Sequence, residues 1–212
     1  KYPYTSFSEI ENPSLWKSHK TQNFPANIHE GAVQEGYYGK ICRTFLQRSS
    51  DNGLTWTSPT EITTQVKRPE KVTSYAGGPG IGIQLKKGTN NGRIIMPFSQ
   101  GPWGAMKVYA VFSDDKGRSW QYGNTAPSKN NEQANEVQMV ELSNGKLMLN
   151  ARSFKGNKLR KISFSEDGGV NWSELKDGQG LKEPECQGSI ISFYKNDDYY
   201  SLIYCGPSNL EQ

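Results

Sequence analysis

Residues 112–120 read FSDDKGRSW, a polar turn closed by a tryptophan. Nearly the same string occurs twice more, as SSDNGLTW at 49–56 and SEDGGVNW at 165–172. The three copies align without gaps. The first has Ser49, Asp51, Gly53 and Trp56, the second Ser113, Asp115, Gly117 and Trp120, the third Ser165, Asp167, Gly169 and Trp172. Each follows a strand-like run: RTFLQRS, KVYAVFS or RKISFS. A short Asp side chain accepts hydrogen bonds from backbone N–H groups just ahead of it, and Ser or Thr hydroxyls close further turn bonds. Gly supplies a positive φ at little cost. The Trp then starts the next strand and is expected to lay its apolar area back onto the same unit. The string is therefore read as a self-stapling hairpin turn, structural rather than catalytic.

The aspartates at 51, 115 and 167 lie 64 and 52 residues apart, a spacing that suits units of about four short strands such as propeller blades. Composition agrees. Only 33% of residues are hydrophobic, while 22 glycines and 11% aromatics favour short strands and tight turns over a helical bundle. The fold class expected is all-β. A net charge of +4 without a run of Lys or Arg argues against nucleic acid. No stretch is long and apolar enough to be a transmembrane segment, and the N-terminus carries no signal-peptide pattern. Cys42, Cys186 and Cys205 are odd in number and without short spacing, so they are expected as buried or half-buried free thiols. His19 and His29 lack partners at ligand spacing, so no metal is expected. The glycines of GGPGIG at 77–82 are not followed by the pattern of a phosphate loop.

The best hairpin in the chain is EVQMVEL, then SNG, then KLMLNARS. Its register has two solutions. A two-residue Asn-Gly loop pairs Ser143 with Lys146 and sets Glu136 opposite Ser153. A three-residue loop with Gly145 as a bulge pairs Leu142 with Lys146 and sets Glu136 opposite Arg152. Leu147, Leu149 and Ala151 share one face and suit packing between units; Met148, Asn150 and Arg152 share the other. With the three-residue loop that second face ends in a polar patch of Glu136, Gln138, Asn150 and Arg152. On composition alone a Glu/Arg cross-strand pair is an ordinary surface ion pair.

The Ser-x-Asp-x-Gly-x-x-Trp string is the Asp-box, and the chain resembles the sialidase (neuraminidase) family. Besides three Asp-boxes (BNR repeats), the resemblance rests on AGGPGIGIQL at 76–85 with GRIIMPF at 92–98, on NEVQMVELSNGKLMLNAR at 135–152, and on LKEPECQGSIISF at 181–193. It covers about residues 45–205. It implies a six-bladed β-propeller, represented here by about three blades and the start of a fourth. Residues 45–212 would form that partial propeller, and residues 1–44 stay unassigned or form a divergent first blade. It also implies an exo-sialidase, a glycoside hydrolase that removes terminal sialic acid from a glycoprotein, glycolipid or oligosaccharide without a cofactor. Sialidases grip the substrate carboxylate with three arginines, whose guanidinium forks match it bidentately. They attack with a tyrosine assisted by a glutamate. By this resemblance Glu136 is that general base and Arg152 one of the three arginines. A tyrosine nucleophile avoids the repulsion that a carboxylate would meet at a carbon already bearing one, which sets the family apart from two-carboxylate glycosidases.

The chain also departs from the family pattern. The family's first arginine has no counterpart in FPANIHEG, its acid/base aspartate none in EGYYGKICRTFLQRS, and Glu35 is not assigned that role. The third arginine and the nucleophilic tyrosine are expected beyond Gln212, which makes these 212 residues by themselves inactive. Tyr204 belongs to ISFYKNDDYYSLIY, read as two packing strands around an Asn-Asp-Asp turn, and is not that nucleophile. The sequon at Asn171 lies inside an Asp-box and is discounted. Two rival readings follow: a non-hydrolytic sialic-acid-binding protein, and an Asp-box interaction propeller with no sugar site. The compartment expected is secreted, periplasmic or lysosomal rather than cytoplasmic, and the sequence fixes no oligomeric state.

Overall fold

The computed structural model describes residues 32–33, 41–70, 72, 74–102, 104–129, 133–154, 157–196 and 199–208. Their regular secondary structure is almost wholly β. Strand β1 (Ala32–Val33) pairs with β2 (Ile41–Cys42), and β3 (Phe45–Leu46) with β4 (Thr60–Glu61). After the single turn of helix α1 (Thr63–Val66) come β5 (Ser74–Gly77), β6 (Ile83–Gln84), β7 (Ile94–Gly101), β8 (Lys107–Ser113) and β9 (Gln121–Tyr122). These form one sheet in the order β5-β7-β8-β9, with β6 also on β7. The next sheet runs in sequence order through β10 (Gln133–Glu141), β11 (Leu147–Phe154), β12 (Leu159–Ser165) and β13 (Lys176–Lys182). A last hairpin pairs β14 (Ser189–Asn196) with β15 (Tyr199–Cys205), as the sequence suggests. Residues 197–198 of its turn lie outside the described residues.

Every pairing is antiparallel, and the sheets stack face to face in chain order. The first apolar interface joins α1 and the strands before it to the β5–β9 sheet through Ile62, Val66, Tyr75, Phe98 and Val111. The second lies between the β5–β9 and β10–β13 sheets: Ile95, Val108 and Ala110 meet Val137, Met139, Leu147, Leu149 and Ala151. The face of β11 assigned to inter-unit packing is thus fully buried there. The third interface sets Val140 and Met148 against Ile190, Leu202 and Tyr204. Beyond it Ile191, Phe193 and Ile203 are exposed on the outer face of the last hairpin. The described sheets are separate, and none closes on itself.

Each Asp-box is built as its chemistry predicts. The Ser Oγ donates to the Asp Oδ1 at 2.8 Å in all three copies. It accepts from the Gly N–H at 2.8, 2.7 and 2.9 Å. The same Asp Oδ1 takes the backbone N–H of Thr55, Ser119 or Asn171 at 2.9 Å. Oδ2 takes the side chain of that residue at 2.5, 2.6 and 2.8 Å. Two successive residues turn left-handed in each copy, ending on Gly53 (φ 85°), Gly117 (φ 78°) and Gly169 (φ 91°). Asn171, the sequon residue, spends its amide on this staple.

The turns also join neighbouring units. Arg48 donates to the carbonyls of Lys116 and Gly117 in the second box. Arg93 donates to Gly168 O at 3.0 Å in the third, while its other side pairs with Asp114. Trp120 and Trp172 are buried as anchors, but Trp56 is 60% exposed and donates to Gly53 O of its own turn. Among the described residues the strands that the first box joins are the two-residue β3 and β4, which offer Trp56 no broad sheet to cover. No disulfide joins the three cysteines, but only Cys42 is half-buried; Cys186 and Cys205 are exposed, against expectation. Cys186 lies in a turn and Cys205 ends β15, where no further described sheet covers them.

The staples predict acid sensitivity. The Thr55 hydroxyl, with the Thr55 N–H and Ser49, holds the Asp51 carboxyl down to about 2. The Ser119 side chain leads the same effect at Asp115. At Asp167 burial opposes the shift, but bonds from Asn171 and Ser165 outweigh it. Carboxyls lowered on folding add stability that is complete above the unfolded value of about 4 and is lost as pH falls toward the folded values. Thermal melts of the full-length protein should hold a constant Tm from about pH 7 to 5 and lose it between about pH 4 and 2. An Asp115→Asn variant should show a shallower acid limb, and equal limbs would contradict the assignment.

Candidate active site

The hairpin of β10 and β11 carries the two candidate residues, and its turn decides the register. The Gly145 N–H donates to Leu142 O at 2.9 Å, the Leu142 N–H to Lys146 O at 2.8 Å, and Gly145 sits at φ 79°. This is the three-residue loop. The ladder then pairs Glu141 with Leu147, and so on down to Val137 with Ala151. There it shifts. Asn135, not Glu136, stands opposite Arg152, and Glu136 is the extra residue of a β-bulge at φ 39°. The expectation of a direct Glu136–Arg152 pairing is corrected in register but kept in space: Arg152 Nε lies 3.5 Å from Glu136 Oε2. Bulges re-aim a side chain, and here one swings the glutamate toward an arginine on the neighbouring strand.

Close packing next to the bulge explains two glycines of GGPGIG, Gly78 and Gly80. A Cβ on Gly78 would stand 2.1 Å from Val137 O, and one on Gly80 1.9 Å from Gln138 Nε2. The loop lies backbone-to-backbone against β10 just past Glu136. Pro79 O accepts from Gln138 Nε2 at 2.9 Å and from Gln187 Nε2 at 3.2 Å. Gln138 also accepts the Ile190 N–H at 3.0 Å, tying the β10–β13 sheet to the last hairpin. Gln138 and Asn150 are therefore buried cross-links rather than members of an open polar patch. Only Glu136 and Arg152 keep side-chain exposure, 38% and 17%.

Arg152 is held by its inner nitrogen. Nε donates to Glu185 O, and the guanidinium lies 5.7 Å from the Phe154 ring centre. Among the described residues neither Nη nitrogen takes a hydrogen bond, which leaves the outer fork for a ligand. Beneath it lies a network that the sequence reading missed. Arg160, fully buried, donates through Nε to Asn150 Oδ1 at 2.7 Å and through Nη1 to Cys186 O at 2.8 Å. Glu183, equally buried, accepts from Ser153 N–H at 2.9 Å, Ser153 Oγ at 2.5 Å and the Cys186 N–H at 3.0 Å. The two charges stand 3.5 Å apart. Burial pulls the Arg160 guanidinium down from its usual value, opposed by Tyr204, Glu183 and Glu136. The signal was the charge pair itself, Arg160 within a strand and Glu183 in LKEPECQGSI, but nothing local says that these two meet.

Tyr204 packs in the third apolar interface with its ring 5.9 Å from Arg160, and burial pushes its phenol up. FPANIHEG, Glu35, His19 and His29 lie outside the described residues. Among the described residues no group of three His, Cys, Asp or Glu side chains is placed to hold a metal. No described helix is long and apolar enough to cross a membrane.

Stacked antiparallel sheets, three of them carrying an Asp-box turn, define a β-propeller-type protein of BNR repeats. The BNR repeat-like domain family matches residues 9–205. The sialidase of Micromonospora viridifaciens is 30% identical over 176 residues, 78% of this chain and 26% of that protein. A sialidase of Bacteroides fragilis is 31% identical over 168 residues, 77% and 29%. The leech intramolecular trans-sialidase, solved with 2,7-anhydro-Neu5Ac, superposes with a TM-score of 0.66 at 27% identity, over 79% of this chain and 24% of that one. The chain belongs to the sialidase family, and it spans under a third of the length of these relatives.

The bulge makes a separable prediction. A non-glycine residue in the left-handed region costs about 1–2 kcal/mol, which Glu136→Ala keeps and Glu136→Gly removes. The Gly variant should exceed the Ala variant in thermal stability by about 1 kcal/mol while both lose any function of the carboxylate. Equal stability in calorimetry would place the strain elsewhere.

Proposed function

We propose that the intact protein is an exo-sialidase of six blades, with Glu136 and Arg152 at the centre of its site. The observation that carries this reading is the Glu136–Arg152 contact, formed by a bulge and left partly open. In this reading the outer nitrogens of Arg152 grip the carboxylate of a terminal sialic acid on a glycoprotein, glycolipid or oligosaccharide. Glu136 takes the proton of a tyrosine supplied from outside these 212 residues as that oxygen attacks the anomeric carbon; the glycosidic C–O bond breaks, and the departing aglycone oxygen takes a proton from solvent. Water then attacks the same carbon and loses a proton to solvent, the tyrosyl–sugar bond breaks, and Glu136 returns its proton to the tyrosine, which frees the sugar with retained configuration. The apolar outer face of Ile191, Phe193 and Ile203 would be covered by the next blade.

A non-hydrolytic sialic-acid-binding protein is the second reading, and a specific observation favours it. FPANIHEG lacks the family's first arginine, and the segment before the first Asp-box lacks its aspartate. Such a protein would keep the Arg152 grip and lose turnover. An interaction propeller without a sugar site would keep neither.

Steady-state turnover of a fluorogenic sialoside by the full-length protein separates these readings. Glu136→Gln should lower kcat by about 10²–10⁴-fold, the range for losing a general base. Arg152→Ala should raise KM by at least about tenfold, as expected when a charged hydrogen bond worth about 1.5–3 kcal/mol is removed. No turnover, with sialic-acid binding that Arg152→Ala abolishes, selects the second reading. Neither turnover nor binding removes both.

A further inference from the structure

Arg160 and Glu183 have no part in the chemistry just proposed, yet both are fully buried. Desolvating two charges offsets much of their attraction, so such a pair is a poor device for stability alone. Its geometry is more specific. Glu183 is bonded to Ser153 and Arg160 to Asn150, so their anchors on β11 stand on either side of Arg152. Both also hold Cys186, Glu183 through its N–H and Arg160 through its carbonyl. Between these fixed points lies Glu185, in the left-handed conformation at φ 59°, and its carbonyl takes Arg152 Nε. A non-glycine residue stays in that conformation only where its surroundings over-determine it. The Tyr204 ring closes the far side of Arg160, and Gly188 leaves it room: a Cβ there would stand 2.5 Å from the Tyr204 hydroxyl oxygen.

We infer that Arg160 and Glu183 are positioning residues for the carboxylate grip: they fix the 183–186 turn so that the Glu185 carbonyl holds Arg152 by Nε and aims its outer fork at the ligand. This rests on the reading of Arg152 as the carboxylate-binding residue. An arginine tethered at Nε has lost most of its rotamer freedom before the ligand arrives, so less is lost on binding. A displaced turn would cost ground-state grip first, because the reacting atoms belong to other residues.

The test is a double-mutant cycle on the full-length protein, read as KM and kcat for a fluorogenic sialoside and as sialic-acid affinity. Glu183→Gln keeps the size of the side chain and removes its charge. It should raise KM about tenfold or more, as misplacement of a binding group does, while kcat changes less than about threefold. Arg152→Lys has no Nε–H and so has already lost the tether; in that background Glu183→Gln should add less than about twofold. Penalties that multiply in full, or an unchanged KM with only a lower Tm, would overturn the inference. If Glu183→Gln does not fold, Arg160→Lys, which keeps the charge, replaces it in the same cycle with the same expectations. An active wild type with multiplying penalties defeats this inference alone. A wild type that neither turns over nor binds sialic acid defeats the functional reading and this inference with it.

Discussion

One extra residue in a strand organises the end of the β10–β13 sheet that carries Glu136 and Arg152. Above Glu136 the ladder between β10 and β11 is regular and its alternation is strict: Val137, Met139, Leu147, Leu149 and Ala151 enter the core. Had the regular register continued, Glu136 would simply have faced Arg152 across the ladder. The bulge instead sets Asn135 there and lets Glu136 reach the same arginine from a left-handed backbone. Strain of this kind persists only where neighbours enforce it. Here the GGPGIG loop lies against Val137 and Gln138 on one side, and the 183–186 turn holds Arg152 on the other.

Around that end, the sheets are fixed to one another by repeated means. Apolar faces stack in chain order, and each Asp-box closes its own turn through one carboxylate. Arginines of one unit then cap the turn carbonyls of the next, Arg48 on the second box and Arg93 on the third. Buried polar ties follow the same direction: Tyr109 donates to Val66 O, Glu141 accepts the N–H groups of Lys86 and Lys87, and Gln138 accepts that of Ile190. Each such bond satisfies a group that would be costly to bury alone. Together they set the distance and angle between sheets, and so the position of each β10–β11 side chain relative to the last hairpin.

Much of this was legible in the sequence because it is local. The Asp-box chemistry acts within a few residues, so its three staples could be drawn from residue types alone. The Leu-Leu-Ala face of β11 followed from strand period, and the three-residue turn was one of two registers that Ser143-Asn144-Gly145 allows. What was not legible is non-local. Nothing in NEVQMVEL marks Glu136 as a bulge, and the loop packed against the strand beside it, at Gly78 and Pro79, lies more than fifty residues upstream. The burial of Gln138 and Asn150 depends on partners at 190 and 160. The exposure of Trp56, where its two counterparts are buried, reflects the short strands beside it and no property of its own turn.

The most direct test of the central claim is a crystal structure of the full-length protein soaked with sialic acid. The account predicts the sugar carboxylate within hydrogen-bond distance, about 2.7–3.2 Å, of both Nη nitrogens of Arg152, with Nε still on the Glu185 carbonyl and Glu136 in its bulge. Sialic acid bound elsewhere, with the Arg152 fork turned onto protein groups, would contradict it.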